Sequence, residues 1–267
     1  MESPNSPHPN QRLKMKLQQF RDSHPRIIAM GKPGGGKSHL AASLADWEHP
    51  IQVFCFDSLG KDLPYEERGQ LVQDPGHSSA YVLDSKGNPI IRLNYFHEAE
   101  PEMPSAFEAF RAFMIGRGHL EPIGEFPPAA WVLDSCSMFE LALRGYSRYR
   151  LNPNTKEPRQ HWGFATDQLE QTLLQRFAPL PGLVLVLCHI DSDKDERDGS
   201  YIYNPKLPGR LRDNCGMGYT EIWRLYNERD KKGVKHLVQT QPCERYGCMS
   251  NSKVPDGRTN TFSEMFA

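Results

Sequence analysis

Eight residues decide how this chain folds, and they read Gly31-Lys32-Pro33-Gly34-Gly35-Gly36-Lys37-Ser38. Consecutive glycines let the backbone turn so that successive N–H groups point at phosphate oxygens. The apolar run 26–30 before them predicts a buried strand, and residues 39–45 after them predict a helix. Strand, glycine-rich loop and helix in this order are the context of a phosphate-binding loop. The stretch therefore predicts a nucleoside triphosphate site.

The last residues of the motif have distinct chemical roles. Lys37 would reach the β- and γ-phosphates, and the Ser38 hydroxyl would ligate magnesium. The following helix adds its positive N-terminal end, so we expect every residue from Gly31 to His39 to line the nucleotide. We therefore predict that the chain binds ATP and Mg2+ and hydrolyses the ATP.

Apolar strands alternate with helices along most of the chain. Strands are predicted at 26–30, 51–56, 90–96, 129–134 and 183–188, and helices at 39–45, 105–115, 135–150 and 162–177. Strands that are apolar throughout are typical of a parallel sheet covered on both faces. Residues 221–229 and 234–241 flank a turn and predict a β-hairpin. The predicted fold class is α/β, with a mostly parallel central sheet, helices on both faces and a C-terminal hairpin.

The chain divides into one large domain and two short ends. Residues 1–23 begin polar and proline-rich and predict a disordered or short helical extension. Residues 24–255 form the predicted nucleotide-binding domain, in which 59–88 shows no strong period and is interpreted as an insertion with a small hairpin near Tyr81. Residues 256–267 are interpreted as a tail.

Charge and cysteine content limit the possible functions. Lys+Arg 32 against Asp+Glu 33 gives a net charge of -1, so a nucleic-acid site would have to be a local patch. Cys55, Cys136 and Cys188 lie in or beside apolar runs and are expected to be buried thiols in a reduced cytosol. Cys243 and Cys248 lack a second close pair, which disfavours zinc. Without a membrane-length apolar run or a signal-peptide core, we expect a cytoplasmic protein with no membrane segment.

Acidic residues follow several predicted strands. Asp134 ends a buried strand, where an open α/β sheet binds its ligands, and is expected to hold magnesium and also to cap the next helix. Hydrolysis further needs a group that orients or deprotonates water. Glu98 is the preferred candidate and Asp57 the alternative, while Glu100 and Glu102 lie at the same predicted edge.

Other polar residues lie beyond the strand at 183–188. His189 is expected to sense the γ-phosphate or the attacking water, although a histidine that merely ends a strand is the alternative. Arg210 and Arg212 belong to the basic stretch 206–212, which could contact a nucleic-acid backbone with Tyr201 and Tyr203 as stacking platforms. The acidic run 191–195 lacks the glycine and glutamate offsets of a calcium loop and is interpreted as part of a mobile loop.

In their order along the chain these features resemble the RecA-like ATPases: the phosphate-binding loop, the VLDS strand end at 132–135, the strand ending at His189, and LPGRL at 207–211 before the hairpin. More narrowly, the chain resembles phage-encoded proteins that are little more than a RecA core, some of which act in single-strand annealing or recombination. The resemblance covers about 24–255. Two features depart from it: the insertion at 59–88 and the lack of separate DNA-binding domains.

The resemblance to the RecA-like ATPases implies specific roles for several of these residues. Lys37 and Ser38 would contact nucleotide and magnesium, Asp134 would be the second magnesium ligand, and His189 would couple the γ-phosphate to a DNA-binding loop. The catalytic glutamate of the family follows the third strand, which here favours Glu98.

A homo-oligomer, either ring or filament, is also implied, with nucleotide at the subunit interfaces. Cations of one subunit could then contact the nucleotide of its neighbour. The candidates for such trans-acting cations are two residues near the chain end, Lys253 and Arg258.

Three functions compete at this stage. The first is a single-stranded-DNA-dependent ATPase of phage-type recombination or annealing, placed in the host cell cytoplasm. The second is an oligomeric motor that translocates or packages DNA. The third is a small-molecule kinase, for which the basic stretch 206–212 would have to act as a lid.

Overall fold

A computed structural model of the chain describes residues 22–47, 50–57, 62–98, 100, 102–155, 157–194, 196, 199, 201–214, 217–230, 233–243, 246–251, 254, 256–259 and 261–265. The predicted N-terminal extension lies almost wholly outside the described residues, and so does Lys253.

Six parallel strands form the centre of a single sheet. They are β1 (Arg26–Gly31), β2 (Ile51–Cys55), β5 (Pro89–Tyr95), β6 (Ala130–Asp134), β7 (Leu183–Lys194) and β9 (Glu221–Asp230). Their order across the sheet is β9, β1, β7, β6, β2, β5. The strand that enters the glycine-rich loop, β1, is therefore paired on both sides, and its end lies in the middle of the carboxyl edge of the sheet.

Antiparallel strands extend the sheet at both edges. On one side β9 pairs with β10 (Gly233–Gln239) and β10 with β12 (Arg258–Thr259), which confirms the predicted hairpin. On the other side β5 pairs with β4 (Ser79–Leu83), and β4 with β3 (Gln70–Gln73). Two further strands lie off this path: β8 (Tyr201–Pro205) pairs with β7, and β11 (Met249–Ser250) with β9.

Helices cover both faces of the sheet. They are α1 (Lys37–Ser43), α2 (Leu63–Glu66), α3 (Ala106–Ile115), α4 (Cys136–Tyr146), α5 (Pro158–Glu170), α6 (Gly209–Asn214) and α7 (Phe262–Met265), and π-helical turns continue α4 to Leu151 and α5 to Phe177. Among these described helices none combines the length and the apolar character that spanning a membrane requires. The mostly parallel α/β fold predicted from the sequence is confirmed.

The core is divided in two by the sheet, because successive side chains of a strand point to opposite faces. In β1, Ile27 and Ala29 belong to the cluster beneath α1, whereas Ile28 and Met30 belong to the cluster beneath α3, α4 and α5. The second cluster is rich in phenylalanine, and Phe54 at its centre packs edge-to-face against several other rings. The thiols predicted to be buried, those of Cys55, Cys136 and Cys188, are buried and free.

One segment extends the sequence prediction and another differs from it. The insertion 59–88 contains the short helix α2 and the strands β3 and β4, which pair with each other and enlarge the sheet. The predicted tail is part of the domain, because Phe262 and Met265 are completely buried. Phe262 stacks on Trp47 at 5.4 Å between ring centroids, and its backbone N–H donates to Ser43 Oγ at 3.2 Å. The domain therefore extends to at least Met265.

Candidate nucleotide and magnesium site

The glycine-rich loop connects β1 to α1 at the carboxyl edge of the sheet. Gly34 and Gly36 have φ angles of 74° and 85°, a region that side-chain-bearing residues rarely adopt. Gly35 donates its N–H to the carbonyl of Lys32 at 2.9 Å, and a Cβ added at Gly35 would lie 2.9 Å from that same oxygen. The glycines are therefore required by the shape of the loop, and Gly36 gives α1 an N-terminus without a side chain in front of it.

The neighbouring strand β9 holds the loop in place. Asn227 Nδ2 donates to the carbonyl of Gly34 at 2.9 Å, and Asn227 Oδ1 lies 2.6 Å from Nδ1 of His236 on β10. The ring of His39, the third residue of α1, lies 6.3 Å from the ring of His236 and stacks on it, and its Nδ1 lies 3.5 Å from the carboxylate of Glu67. The C-terminal hairpin thus contacts both the loop and the helix that follows it.

Lys37 lies inside the loop. Its side chain is only 8% exposed, and Nζ donates to the carbonyls of Gly31 and Lys32, at 3.1 Å each. Because phosphate oxygens accept stronger charge-assisted hydrogen bonds than neutral carbonyls do, a bound triphosphate would compete for this ammonium group. Lys37 therefore lies where its ammonium group could contact the phosphates of a nucleotide bound in the loop.

Asp134 lies at the end of β6, two strands away from β1. Its carboxylate is buried; Oδ2 accepts a hydrogen bond from the hydroxyl of Tyr65 at 3.0 Å, while Oδ1 meets no donor among the described residues. Burial raises the pKa of Asp134, as does the charge of Asp57, and the nearby hydroxyls of Ser38 and Tyr65 and the charge of Lys37 act in the opposite direction. The interaction with Ser38 brings together the two side chains predicted to bind magnesium.

This pair of residues fits a magnesium ion. Mg2+ prefers hard oxygen ligands and usually takes one or two carboxylates, completing its shell with water and phosphate oxygens. Ser38 offers a hydroxyl, and Asp134 offers a buried carboxylate oxygen that lacks a partner in the described part of the chain. A cation next to that oxygen would offset the cost of keeping the buried carboxylate charged.

The two candidate acids for water activation lie in different surroundings. Asp57 follows β2, which pairs directly with β6, and its charge raises the pKa of Asp134. Glu98 follows β5, one strand farther away, and its Oε2 accepts from the N–H groups of Ser105 at 2.8 Å and Ala106 at 3.3 Å. Glu98 therefore binds the start of α3, and the geometry favours Asp57 as the carboxylate closer to the site. Glu100 and Glu102 are exposed.

His189 lies beside the loop, as expected from its strand. It is the register partner of Gly31, and its N–H donates to Ser137 Oγ on α4 at 3.0 Å. The segment after it is not the mobile loop that the sequence suggests. Instead β7 continues to Lys194 and pairs with β8, and α6 follows.

The two arginines of the predicted basic patch form ion pairs with acids of the same chain. Arg210 lies 2.6 Å from the Glu170 carboxylate, which raises the pKa of Arg210, and Arg212 forms an ion pair with Asp193. The leucines of the same stretch, Leu207 and Leu211, are buried in the core. The stretch 206–212 is thus a core-packing turn and helix.

Of the two candidate trans-acting cations, only Arg258 lies among the described residues. It contributes its backbone to β12, where it pairs with Val238 of β10. This position is at the edge of the sheet beyond the C-terminal hairpin, five strands away from β6 and Asp134. The proposed contact with a neighbouring subunit stays a prediction.

A cavity of about 300 Å³ adjoins the outer side of the loop. Lys32 and Pro33 line it together with aromatic side chains, those of Tyr203, Tyr226 and Tyr246. There the rings of Tyr203 and Tyr246 stack at 5.0 Å, and the guanidinium carbon of Arg224 lies 3.6 Å from the centroid of the Tyr246 ring. Tyr203, expected from the sequence to be a stacking platform, therefore already stacks on another tyrosine.

Two residues of the site are not identifiable from the sequence. Tyr65 lies in the segment without a clear period, and Asn227 lies within a strand with no motif around it. Both act across long separations: Tyr65 and Asp134 are 69 positions apart, and Asn227 and Gly34 are 193 positions apart. Nothing in the local sequence indicates either contact.

Comparison with known proteins concerns the general fold. No protein-family model and no curated protein sequence matches the chain. The ATPase of a type III secretion system from pathogenic bacteria is similar over 76% of this chain and 51% of its own, at 15% identity and a TM-score of 0.45. EscN, a type III secretion ATPase of enteropathogenic E. coli, is similar over 76% of this chain and 43% of its own, at 14% identity and a TM-score of 0.44.

A KaiC-like protein of Pyrococcus horikoshii OT3 is similar over 79% of this chain and 76% of its own, at 12% identity and a TM-score of 0.36. The chain spans about half of the length of the secretion ATPases, 51% and 43%. The TM-scores of these three structures are no higher than 0.45.

Proposed function

We propose that this chain is a RecA-like ATPase that binds ATP with Mg2+ and hydrolyses it. One observation carries the proposal: a glycine-rich loop that encloses Lys37 lies at the same sheet edge as a buried carboxylate, Asp134, which interacts with Ser38 of the loop. A phosphate-binding loop needs these three side chains to hold a magnesium-bound triphosphate.

Each of these residues has a distinct task in the reaction. Lys37 would exchange its loop carbonyls for phosphate oxygens, and Ser38 and Asp134 would hold the magnesium ion. When bound, this ion neutralises charge that builds up on the phosphate oxygens. Asp57 is the carboxylate that we assign to orienting the attacking water, and His189 lies at the end of the strand next to β1. Burial of Lys37 and Asp134 strengthens the electrostatic contacts that these two side chains make.

The test measures nucleotide binding and phosphate release separately. Wild-type protein, Lys37→Ala and Asp134→Asn are titrated with a fluorescent ATP analogue in Mg2+ and in EDTA, and phosphate release is followed in the same buffers. Loss of a charge-assisted hydrogen bond should weaken binding by roughly 10- to 150-fold in Lys37→Ala. Asp134→Asn should remove the difference between Mg2+ and EDTA.

A surface lysine provides the matched control. Lys86 is exposed in the turn between β4 and β5, far from the loop in the sheet, so Lys86→Ala should match the wild type. Equal binding and turnover in Lys37→Ala and Lys86→Ala would refute the proposal.

The finer proposal is that single-stranded DNA stimulates the ATPase, as in the phage recombination proteins that the sequence resembles. Its support is that resemblance and the exposed Tyr201 on β8, the strand that pairs with β7 just beyond His189. The pairing of Arg210 and Arg212 with acids weakens the case for the basic stretch as the contact surface. ATP turnover with and without single-stranded DNA decides the question, and turnover that ignores DNA would refute this part.

Salt dependence tests the two arginines. If they contact the DNA backbone, Arg210→Ala and Arg212→Ala should each flatten the dependence of DNA affinity on salt. An unchanged slope would show that their carboxylate partners keep them from the DNA. Size-exclusion chromatography with and without ATP tests the proposed homo-oligomer, and a monomer under both conditions would refute it.

The kinase alternative is disfavoured by the stretch 206–212. A lid needs arginines that are available to phosphates, whereas here the leucines are buried and the arginines are in ion pairs. A motor that translocates DNA is a second use of the same ATPase site. It predicts DNA-stimulated turnover together with movement along DNA, which a strand-displacement assay measures.

A further inference from the structure

The insertion between β2 and β5 contributes a side chain to the proposed magnesium site. Tyr65 of α2 is 2% exposed, and its hydroxyl donates to Asp134 Oδ2 at 3.0 Å. The ring belongs to the apolar cluster beneath α1, so packing holds the ring while the hydroxyl reaches the carboxylate. The hydrogen bond joins the insertion to the end of β6.

A carboxylate has two oxygens, and the bond to Tyr65 occupies one of them. Oδ1 of Asp134 is buried and meets no donor in the described ranges. We propose that Tyr65 is a positioning residue: its hydroxyl fixes Oδ2 and thereby turns Oδ1 toward the magnesium ion. This inference rests on the proposed function, because it assumes that Asp134 binds magnesium.

The insertion also holds Tyr65 in place. Asp62, directly before α2, accepts the N–H of Tyr65 at 2.8 Å through its carbonyl, and its carboxylate accepts the hydroxyl of Tyr95 on β5 at 3.1 Å. The bond to Tyr65 is made by the backbone of Asp62 and does not depend on the side-chain bond to Tyr95, so the Tyr65 hydroxyl is the outer partner of the Asp134 carboxylate. Outer partners of this kind orient metal ligands, and their loss typically weakens metal binding by about 10- to 100-fold.

A purely structural role would not require a hydroxyl at this position. The ring of Tyr65 lies in an apolar cluster, which a phenylalanine would fill equally well. Tyr65→Phe therefore removes one hydrogen bond and keeps the packing. Tyr95→Phe is the matched control, because it removes a tyrosine–aspartate hydrogen bond of the same insertion that does not involve Asp134.

The experiment measures the affinity for a fluorescent ATP analogue in Mg2+ and in EDTA for the wild type, Tyr65→Phe and Tyr95→Phe. The ratio of the two affinities should fall about 10-fold or more in Tyr65→Phe, with binding in EDTA unchanged. It should stay at the wild-type value in Tyr95→Phe. In an Asp134→Asn background, Tyr65→Phe should have no further effect on the ratio.

The outcomes separate the two proposals. A wild type whose binding is the same in Mg2+ and EDTA overturns the magnesium site and this inference with it. A magnesium-dependent wild type with an unchanged ratio in Tyr65→Phe overturns only the role of Tyr65. If Tyr65→Phe does not fold, 3-fluorotyrosine placed at position 65 keeps the ring and the hydroxyl. Its ¹⁹F signal should then shift when Mg2+ is added to the ADP-bound protein, and an unmoved signal overturns the inference.

Discussion

Replacing Phe262 by alanine tests whether the last described helix belongs to the core of the nucleotide-binding domain. Phe262 is completely buried, and its ring centroid lies 5.4 Å from that of Trp47 and 5.9 Å from that of Trp223. Removing a buried phenylalanine costs about 3 to 5 kcal/mol, because contacts are lost and a cavity remains. This is a large share of the total stability of a typical domain, about 5 to 15 kcal/mol.

Chemical unfolding followed by far-UV circular dichroism measures this loss without relying on the two tryptophans that contact the ring. We expect the unfolding free energy of Phe262→Ala to fall by about 3 to 5 kcal/mol and its melting temperature by roughly 6 to 20 °C. Phe126 is the matched control, since its side chain is 63% exposed and Phe126→Ala should change stability by no more than about 0.5 kcal/mol. Equal stabilities of the two variants would refute the assignment of α7 to the core.

Three further predictions concern the loop and a buried histidine. Gly35→Ala places a Cβ at 2.9 Å from a loop carbonyl and should weaken nucleotide binding roughly tenfold or more. Gly145→Ala, whose new Cβ would have no neighbouring atom within 4 Å, is the control and should keep the wild-type affinity. Equal nucleotide affinities of the two variants would contradict the prediction. Asn227→Ala removes the hydrogen bond to Gly34, so ATP affinity should fall about fivefold, for a loss of about 1 kcal/mol, and titration with the fluorescent analogue measures it. Burial lowers the pKa of His119, and the neighbouring arginines lower it further. When the pH falls below about 6.5, the unfolded chain therefore binds a proton at this histidine that the folded protein does not bind. Stability should therefore drop between pH 7 and pH 5, and His119→Asn should reduce this drop in thermal unfolding; an equal drop in both proteins would argue against it.

The loop and the central strands can be predicted because their signals are local. At 31–38 the glycine residues by themselves indicate a backbone that turns around phosphate. The parallel strands are visible in the sequence as continuous apolar runs. Asp134 can be predicted for the same reason, since an acid at the end of a buried strand points to a definite edge of the sheet.

The choice between Glu98 and Asp57 requires the order of strands in the sheet, which differs from their order in the chain. The resemblance to the RecA-like ATPases favours Glu98, because it follows the third strand. In the structure, β2 lies directly beside β6 and brings the end of its strand, with Asp57, closer to Asp134. The parallel pairing of β2 with both β6 and β5 cannot be derived from any local pattern.

From the sequence, residues 256–267 are interpreted as a tail because few of them are apolar. Phe262 and Met265 are spaced three apart in a polar stretch, which is too short for a helical period to be recognised. Their burial depends on a surface formed by residues more than 200 positions earlier, as the separation of 219 positions between Phe262 and Ser43 illustrates. The arginines of 206–212 read as a basic patch for a similar reason, because their acidic partners lie on β7 and α5.

The contact between Phe262 and Ser43 has a consequence for the order of events during synthesis. Ser43 is the last residue of α1, the helix that begins at Lys37, and it leaves the ribosome 219 residues before the partner that covers it. At about 5 to 20 residues per second, that interval lasts about 10 to 45 s. For this time the nascent chain carries a complete phosphate-binding sequence whose helix has an uncovered apolar face. A growing chain therefore acquires a fully supported nucleotide site only after β12 and α7 have been synthesised.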